Sequence, residues 1–204
     1  MQAPAGNVKR RLVAAGLVLC APPAICSAAE MAWRVDAGQV VIVVPLKPGG
    51  AFEAKTSSLA GRLALTGSGA PMALEGELAV DLASIETGIA LRDQHLRERY
   101  LEIPRGTGFD RAVLSDIVLR DADGAGFRGD TAFEGTLLLH DVRRPLAGKG
   151  VIRAAPDGVR VEASFALTLT DFGIVPPEYM GVGVASKVAV RVSFEAVADP
   201  GDGR

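Results

Sequence analysis

The sequence predicts an all-β domain, an antiparallel sandwich or barrel with one short helix packed across it. Three observations carry this. Apolar and polar residues alternate with a period of two along most of the chain, turn-forming clusters separate the alternating runs, and one charged stretch, residues 87–102, breaks both patterns.

Residues 1–29 read as a signal peptide. Lys9, Arg10 and Arg11 form a positive start, Leu12 to Ala21 is an apolar run, and Pro22 and Pro23 end it. Small residues then offer cleavage after Ala28 or Ala29. The run is about half the roughly 20 residues that a membrane-spanning helix needs. The expectation is therefore an exported protein, periplasmic or secreted. Cys20 and Cys26 both lie in this leader, so the mature chain has no thiol and no disulfide. Leu19 and Ile25 precede them where a lipid-anchored protein would carry a small residue. Cleavage removes three of the 22 basic residues and no acid, leaving 19 against 24 acidic residues, a net charge of −5. A balanced to acidic chain lacks the basic footprint of nucleic-acid binding.

The domain proper is expected over residues 30–198, with a flexible tail at 199–204. Ala32 to Asp36, Gln39 to Leu46 and Leu59 to Thr66 read as extended. Leu74 to Leu82, Val113 to Arg120, Thr131 to His140 and Leu146 to Ala154 follow as strands. The clearest alternation lies in Val159 to Thr170 and Lys187 to Ala196. In the latter, Val188, Val190, Val192, Phe194 and Ala196 share one face. Turn chemistry separates the runs at Lys47-Pro48-Gly49-Gly50, Gly67 to Pro71, Asp121 to Gly124 and Pro156-Asp157-Gly158. Within Thr87 to Glu102, the spacing of Leu91, Leu96, Tyr100 and Leu101 gives an apolar helix face, leaving Arg92, Asp93, Gln94, Arg97, Glu98 and Arg99 solvated.

Alternation alone does not separate a sandwich from a barrel. The presumed inner faces carry Gly76, Gly148, Gly150, Ala154 and Ala163 among Val and Leu, and aromatic residues make up only 5% of the chain. An eight-stranded barrel is either just filled by side chains or holds one small ligand, and small apolar lining favours the second.

Particular residues then carry a resemblance. Leu91-Arg92-Asp93-Gln94-His95-Leu96-Arg97 with Tyr100-Leu101-Glu102 resembles the RDxHLR segment of the YceI-like polyisoprenoid-binding family. Phe133 to Pro145 resembles its G-x-L-x-x-H-G-V-x-R-P hairpin, Asp171-Phe172-Gly173-Ile174 its DFGI element, and Trp33-Arg34-Val35-Asp36 its opening strand. The resemblance spans roughly Trp33 to Ala196. It implies a lipocalin-like antiparallel barrel of about eight strands with a helix across it, usually exported, binding a long apolar molecule such as an isoprenoid, quinone or fatty lipid. Many relatives carry His-Ser after the opening Asp, where this chain has Ala37-Gly38-Gln39, and some carry Arg where this chain has Leu169. Any head-group contact those residues make is absent here. Asp141 stands where Gly is usual, and Asp tolerates a left-handed turn.

The residues expected to line or approach a ligand are Arg92, His95, Leu96, Arg97, Tyr100, Phe133, Phe165, Leu167, Phe172 and Val190. Arg92 and Arg97 are the candidates for a polar or anionic head. His95 and His140, the only histidines, are too few for a metal site without cysteine, and each is expected to fix a loop through backbone or carboxylate. No metal and no cofactor are expected. The reading is a non-catalytic carrier of an apolar lipid, with peripheral membrane contact for loading. An open edge or the barrel mouth leaves room for a homodimer that no pattern demands. The alternative is a barrel enzyme acting on a small apolar or lipid substrate, with His95 or His140 as general base beside Asp93 or Asp171.

Overall fold

The computed structural model describes residues 31–66, 70–121 and 129–199. The expected leader, the turn residues Gly67 to Gly69, most of the Asp121 to Gly124 turn and the tail beyond Asp199 lie outside the described residues.

Twelve described strands form one antiparallel sheet: β1 (Ala32–Val35), β2 (Gly38–Lys47), β3 (Ala51–Thr56), β4 (Ala60–Thr66), β5 (Met72–Asp81), β6 (Arg111–Leu119), β7 (Gly129–Leu139), β8 (Val142–Ala155), β9 (Gly158–Thr168), β10 (Glu178–Tyr179), β11 (Val182–Val184) and β12 (Lys187–Asp199). The neighbours β1, β4, β5, β6, β7, β8, β9 and β12 close into a ring of eight, since β12 pairs back to β1. The expectation of a barrel of about eight strands with a short helix holds.

Four of the strands are two bent ones. Ala32 faces Ala64 and Val35 faces Gly61 across β1 and β4, and the same register continues with Val40 facing Thr56 and Pro45 facing Ala51 across β2 and β3. Both strands bend at one level, at Asp36-Ala37 and at Ser57 to Leu59. The inward side changes there from odd to even residues: Trp33 and Val35 are buried below the bend, Val40 and Val44 above it. β12 serves both halves, pairing with β2 from Ala189 to Phe194 and with β1 from Arg34 to Ala32 opposite Val197 to Asp199. Its face of Val188, Val190, Phe194 and Ala196 is buried as the alternation implied.

Several expectations need correction. Asp199 is strand, not tail, because it pairs with Ala32 and its carboxylate lies 3.6 Å from Arg62 Nε. Leu169 and Thr170 leave the strand for a 3-10 turn, Leu169–Phe172. Gly76 and Ala154 are exposed, Gly76 beside the register shift between Leu74 and Glu77. β3 escaped the sequence reading because it is only six residues long, with Phe52 its one large apolar side chain. Gly148 does face inward, and it is needed there: a Cβ would lie 2.6 Å from the Phe133 ring and 2.7 Å from Ser164 O.

Above the bend the ring opens. β3 pairs β2 on one side, and on the other its backbone pairs, among the described residues, only through a two-bond bridge, Lys55 N to Glu86 O at 2.8 Å and Glu86 N to Lys55 O at 2.9 Å. The segment linking β5 to β6 crosses this gap. Its helix α1 (Ala90–His95) runs into a wide π-type turn, Leu96–Tyr100, closed by Leu101 N donating to Leu96 O at 2.9 Å. The wider turn brings Leu96 and Leu101 onto one side, where Leu101 is core and Leu96 and Tyr100 pack against it. Leu91 does not share that face; it is 62% exposed.

Two charged residues expected in solvent instead hold this lid. Asp93 is buried, and its Oδ1 accepts from Thr87 N at 2.8 Å and Thr87 Oγ1 at 2.6 Å. The Thr87 hydroxyl, with the Thr87 amide, Arg97 and Arg92 adding to it, holds the Asp93 carboxyl below the usual aspartate range against the opposing effect of burial. Arg97 Nη1 donates to Ala83 O at 3.1 Å and Ile85 O at 3.3 Å, tying the lid to the end of β5. At the lid's far end His140 Nδ1 donates to Phe172 O at 3.0 Å, and its buried Nε2 lies 3.2 Å from Glu102 Oε2 without hydrogen-bond alignment. Arg105 first, then His140, hold the Glu102 carboxyl below its usual range. His140 and Asp141 form the two-residue turn between β7 and β8, with φ of 53° and 59°.

Two outcomes follow. Asp93→Ala lowers unfolding free energy by about 2 kcal/mol in urea titration, the scale of a lost hydrogen bond to a charged group. Because the folded carboxyl is depressed, this contribution is full above the unfolded aspartate value near ~4 and is lost as pH falls through the folded value, so the gap between wild type and variant narrows in acid. Gly148→Ala destabilises by about 1–3 kcal/mol through overpacking, with the urea m-value unchanged.

Candidate ligand-binding cavity

The barrel interior holds two voids, one on each side of the bend. The lower void, about 110 Å³, is lined by Trp33, Leu63, Leu74, Phe133, Phe165, Val192 and other apolar side chains. Thr131 is its one polar side chain, and that hydroxyl is turned to Ala132 O at 3.1 Å. Phe133 and Phe165 meet edge to face here, with ring centroids 6.2 Å apart.

The upper void, about 480 Å³, lies under the lid and opens between the lid, the β2–β3 turn and the segment Val175–Pro177. Its walls are apolar: Ile42, Val44 and Leu46 from β2, Phe52 and Ala54 from β3, Leu167 from β9, Val188 and Val190 from β12. Such a volume falls within the range of small-molecule sites. Every polar side chain in the lining, Thr87, Arg92, His95 and Tyr100, comes from the lid segment. Thr87 is committed to Asp93. Arg92 lies over the Phe52 ring, 4.2 Å from its centroid, so its guanidinium is held at the wall by a cation–π contact.

The ten residues expected from the sequence fall into three groups. Arg92, His95, Leu96, Tyr100, Leu167 and Val190 line the upper void. Phe133 and Phe165 line the lower one. Arg97 and Phe172 line neither: Arg97 is occupied by backbone carbonyls, and Phe172 is core at 3% exposure. The sequence reading missed Phe52 and the Val175-Pro176-Pro177 wall. Phe52 lies in the unrecognised strand β3, and the prolines have no periodicity to betray their facing.

Of the groups named for the enzymatic alternative, Asp93 is bonded to Thr87 and His140 faces Phe172 O and Glu102. His95 lines the upper void, and Asp171 is exposed, its main-chain carbonyl accepting from Arg144 Nε at 3.1 Å. Among the described residues no three His, Cys, Asp or Glu side chains converge as a metal would require. A further concavity of about 900 Å³ lies on the outer face and is lined by charged residues including Glu53, Lys55, Lys149, Glu162 and Arg191. Much of that charge is already paired, Glu53 with Lys55 at 2.8 Å and with Arg191 at 2.9 Å, and Glu162 with Arg153 at 3.1 Å.

Known structures share this architecture. A polyisoprenoid-binding domain from Saccharophagus degradans, implicated in plant cell wall breakdown, superposes with a TM-score of 0.60 at 17% identity, covering 83% of this chain and 99% of that one. BcnA of Burkholderia cenocepacia matches with a TM-score of 0.60 at 12% identity, over 77% and 94% of the two chains. A YceI protein of Campylobacter jejuni matches with a TM-score of 0.52 at 11% identity, over 72% and 84%. At these identities the likeness is one of fold. No curated protein matches the chain. The family model for the YceI-like domain matches residues 33–196. That match runs from the opening Trp33 through the lid and the His140 turn to the last buried residue of β12, and the chain belongs to the YceI-like domain family.

Proposed function

We propose that the protein is an exported, non-catalytic carrier that holds an isoprenoid, quinone or fatty chain in the upper cavity with its polar end toward Arg92, His95 and Tyr100. The observation that carries this reading is the segregation of the lining. Every wall supplied by the barrel is apolar, and every polar side chain belongs to the lid. A single-headed apolar molecule matches that division. Burial of its chain supplies the affinity, roughly 25 cal/mol per Å², and a few polar groups supply the orientation. The Saccharophagus domain of the same fold, described as polyisoprenoid-binding, supports the ligand class.

Loading proceeds by peripheral contact with a membrane. Ile89, Leu91, Val175, Met180 and Val182 are each at least half exposed and stand on the lid, the 175–177 segment and the β10–β11 hairpin around the mouth. The leader expected at residues 1–29 supports export.

Native mass spectrometry of protein purified from an exported preparation tests the reading. A stoichiometric apolar ligand is expected on wild type. Leu167→Trp and Val190→Trp, which fill the cavity, reduce apolar-probe affinity at least tenfold, about 1.4 kcal/mol. Affinities equal to wild type in both variants would show that the ligand lies elsewhere. Export is checked by intact mass, which should begin after Ala28 or Ala29.

A further inference from the structure

The two voids share no lining residue, although they follow one another along the barrel axis. On β9 and β12 they are adjacent: Phe165 and Val192 line the lower, Leu167 and Val190 the upper. Elsewhere around the ring buried inward residues intervene that line neither. Val35 and Val40 stand between Ile42 above and Trp33 below on the β1–β2 strand, and Thr56 and Leu59 between Ala54 and Leu63 on the β3–β4 strand. Val80 stands between Leu82 and Leu78 on β5, and Leu137 between Leu139 and Phe133 on β7. Leu146 of β8, opposite Gly135, fills the same level. Six of these seven are 1–7% exposed, and all but Thr56 belong to or pack against one core cluster.

We infer that this layer is a waist that sets the length of chain the protein accepts, an inference that rests on the carrier reading above. At about 30 Å³ per heavy atom, the share a water takes in the liquid, the upper void holds about 16 heavy atoms. Three isoprene units with a hydroxyl end have that size. A longer chain entering tail first meets the waist and leaves its additional units outside the mouth, where they add no buried area. Joined to the lower void, the space would hold about 20 heavy atoms, four units. Leu137 and Leu146 are the specificity-determining positions, because truncating either opens the waist toward the void lined by Phe133.

The test is a length series of linear isoprenoid alcohols of two, three, four and eight units, competed against a fluorescent fatty-acid probe on the wild-type protein and on Leu137→Ala and Leu146→Ala. In wild type, affinity rises at least tenfold from two to three units and then stays within about threefold. In the variants the rise continues to four units. Affinity that keeps climbing to eight units in wild type overturns the waist, as does a plateau at three units in both folded variants. Should a variant fail to fold by circular dichroism, the wild-type series alone decides. Absence of binding at every length overturns the carrier reading itself, a result distinct from binding without a length limit.

Discussion

Barrel closure depends on one strand keeping three partners. β12 pairs with β9 over its length, with β2 above the bend and with β1 below it. Its register with β9, Val190 opposite Phe165 and Val192 opposite Ala163, aligns the two inward faces. Because side chains alternate, a slip of one residue would turn every one of these apolar groups to solvent. The change of inward side at Asp36-Ala37 is absorbed because β3 and β4 change side at the same level, so the wall stays apolar through the bend.

The lid is the answer to an incomplete ring. Where β3 has, among the described residues, only the Lys55–Glu86 bridge on its outer side, backbone pairing cannot close the wall, and side chains do. Asp93, Arg97 and His140 are spent on fixing Thr87, the end of β5 and the Phe172 carbonyl. Within the charged segment this leaves Arg92 and His95 as the basic groups presented to the cavity, and Arg92 is itself steadied by Phe52. The residues that look most chemical in the sequence are thus mostly structural.

The strands were legible because burial of one face imprints a period of two, strongest in β9 and β12, where every second residue is apolar. The lid was legible as a helix, but its facing was not. At a period of 3.6 residues positions five apart fall about 140° from one another, so Leu91 lies off the Leu96 face and is exposed, while the π-type turn brings Leu96 and Leu101 together. Arg97 and Asp93 could not be told from solvated residues because their partners, two carbonyls and a threonine, are fixed only by the fold. The division of the interior was equally hidden. Val40 and Leu137 differ from their cavity-lining neighbours Ile42 and Leu139 in position along the axis, not in kind.

The pairing of Ala32 with Asp199 has a bearing on orientation. Both ends of the described domain emerge side by side at the base of the barrel, while the mouth lies at the opposite pole between the lid and the 175–177 segment. Anything attached close to Ala32 or Asp199 therefore joins the barrel at the end away from the upper void. An attachment there leaves the lid and the 175–177 segment uncovered.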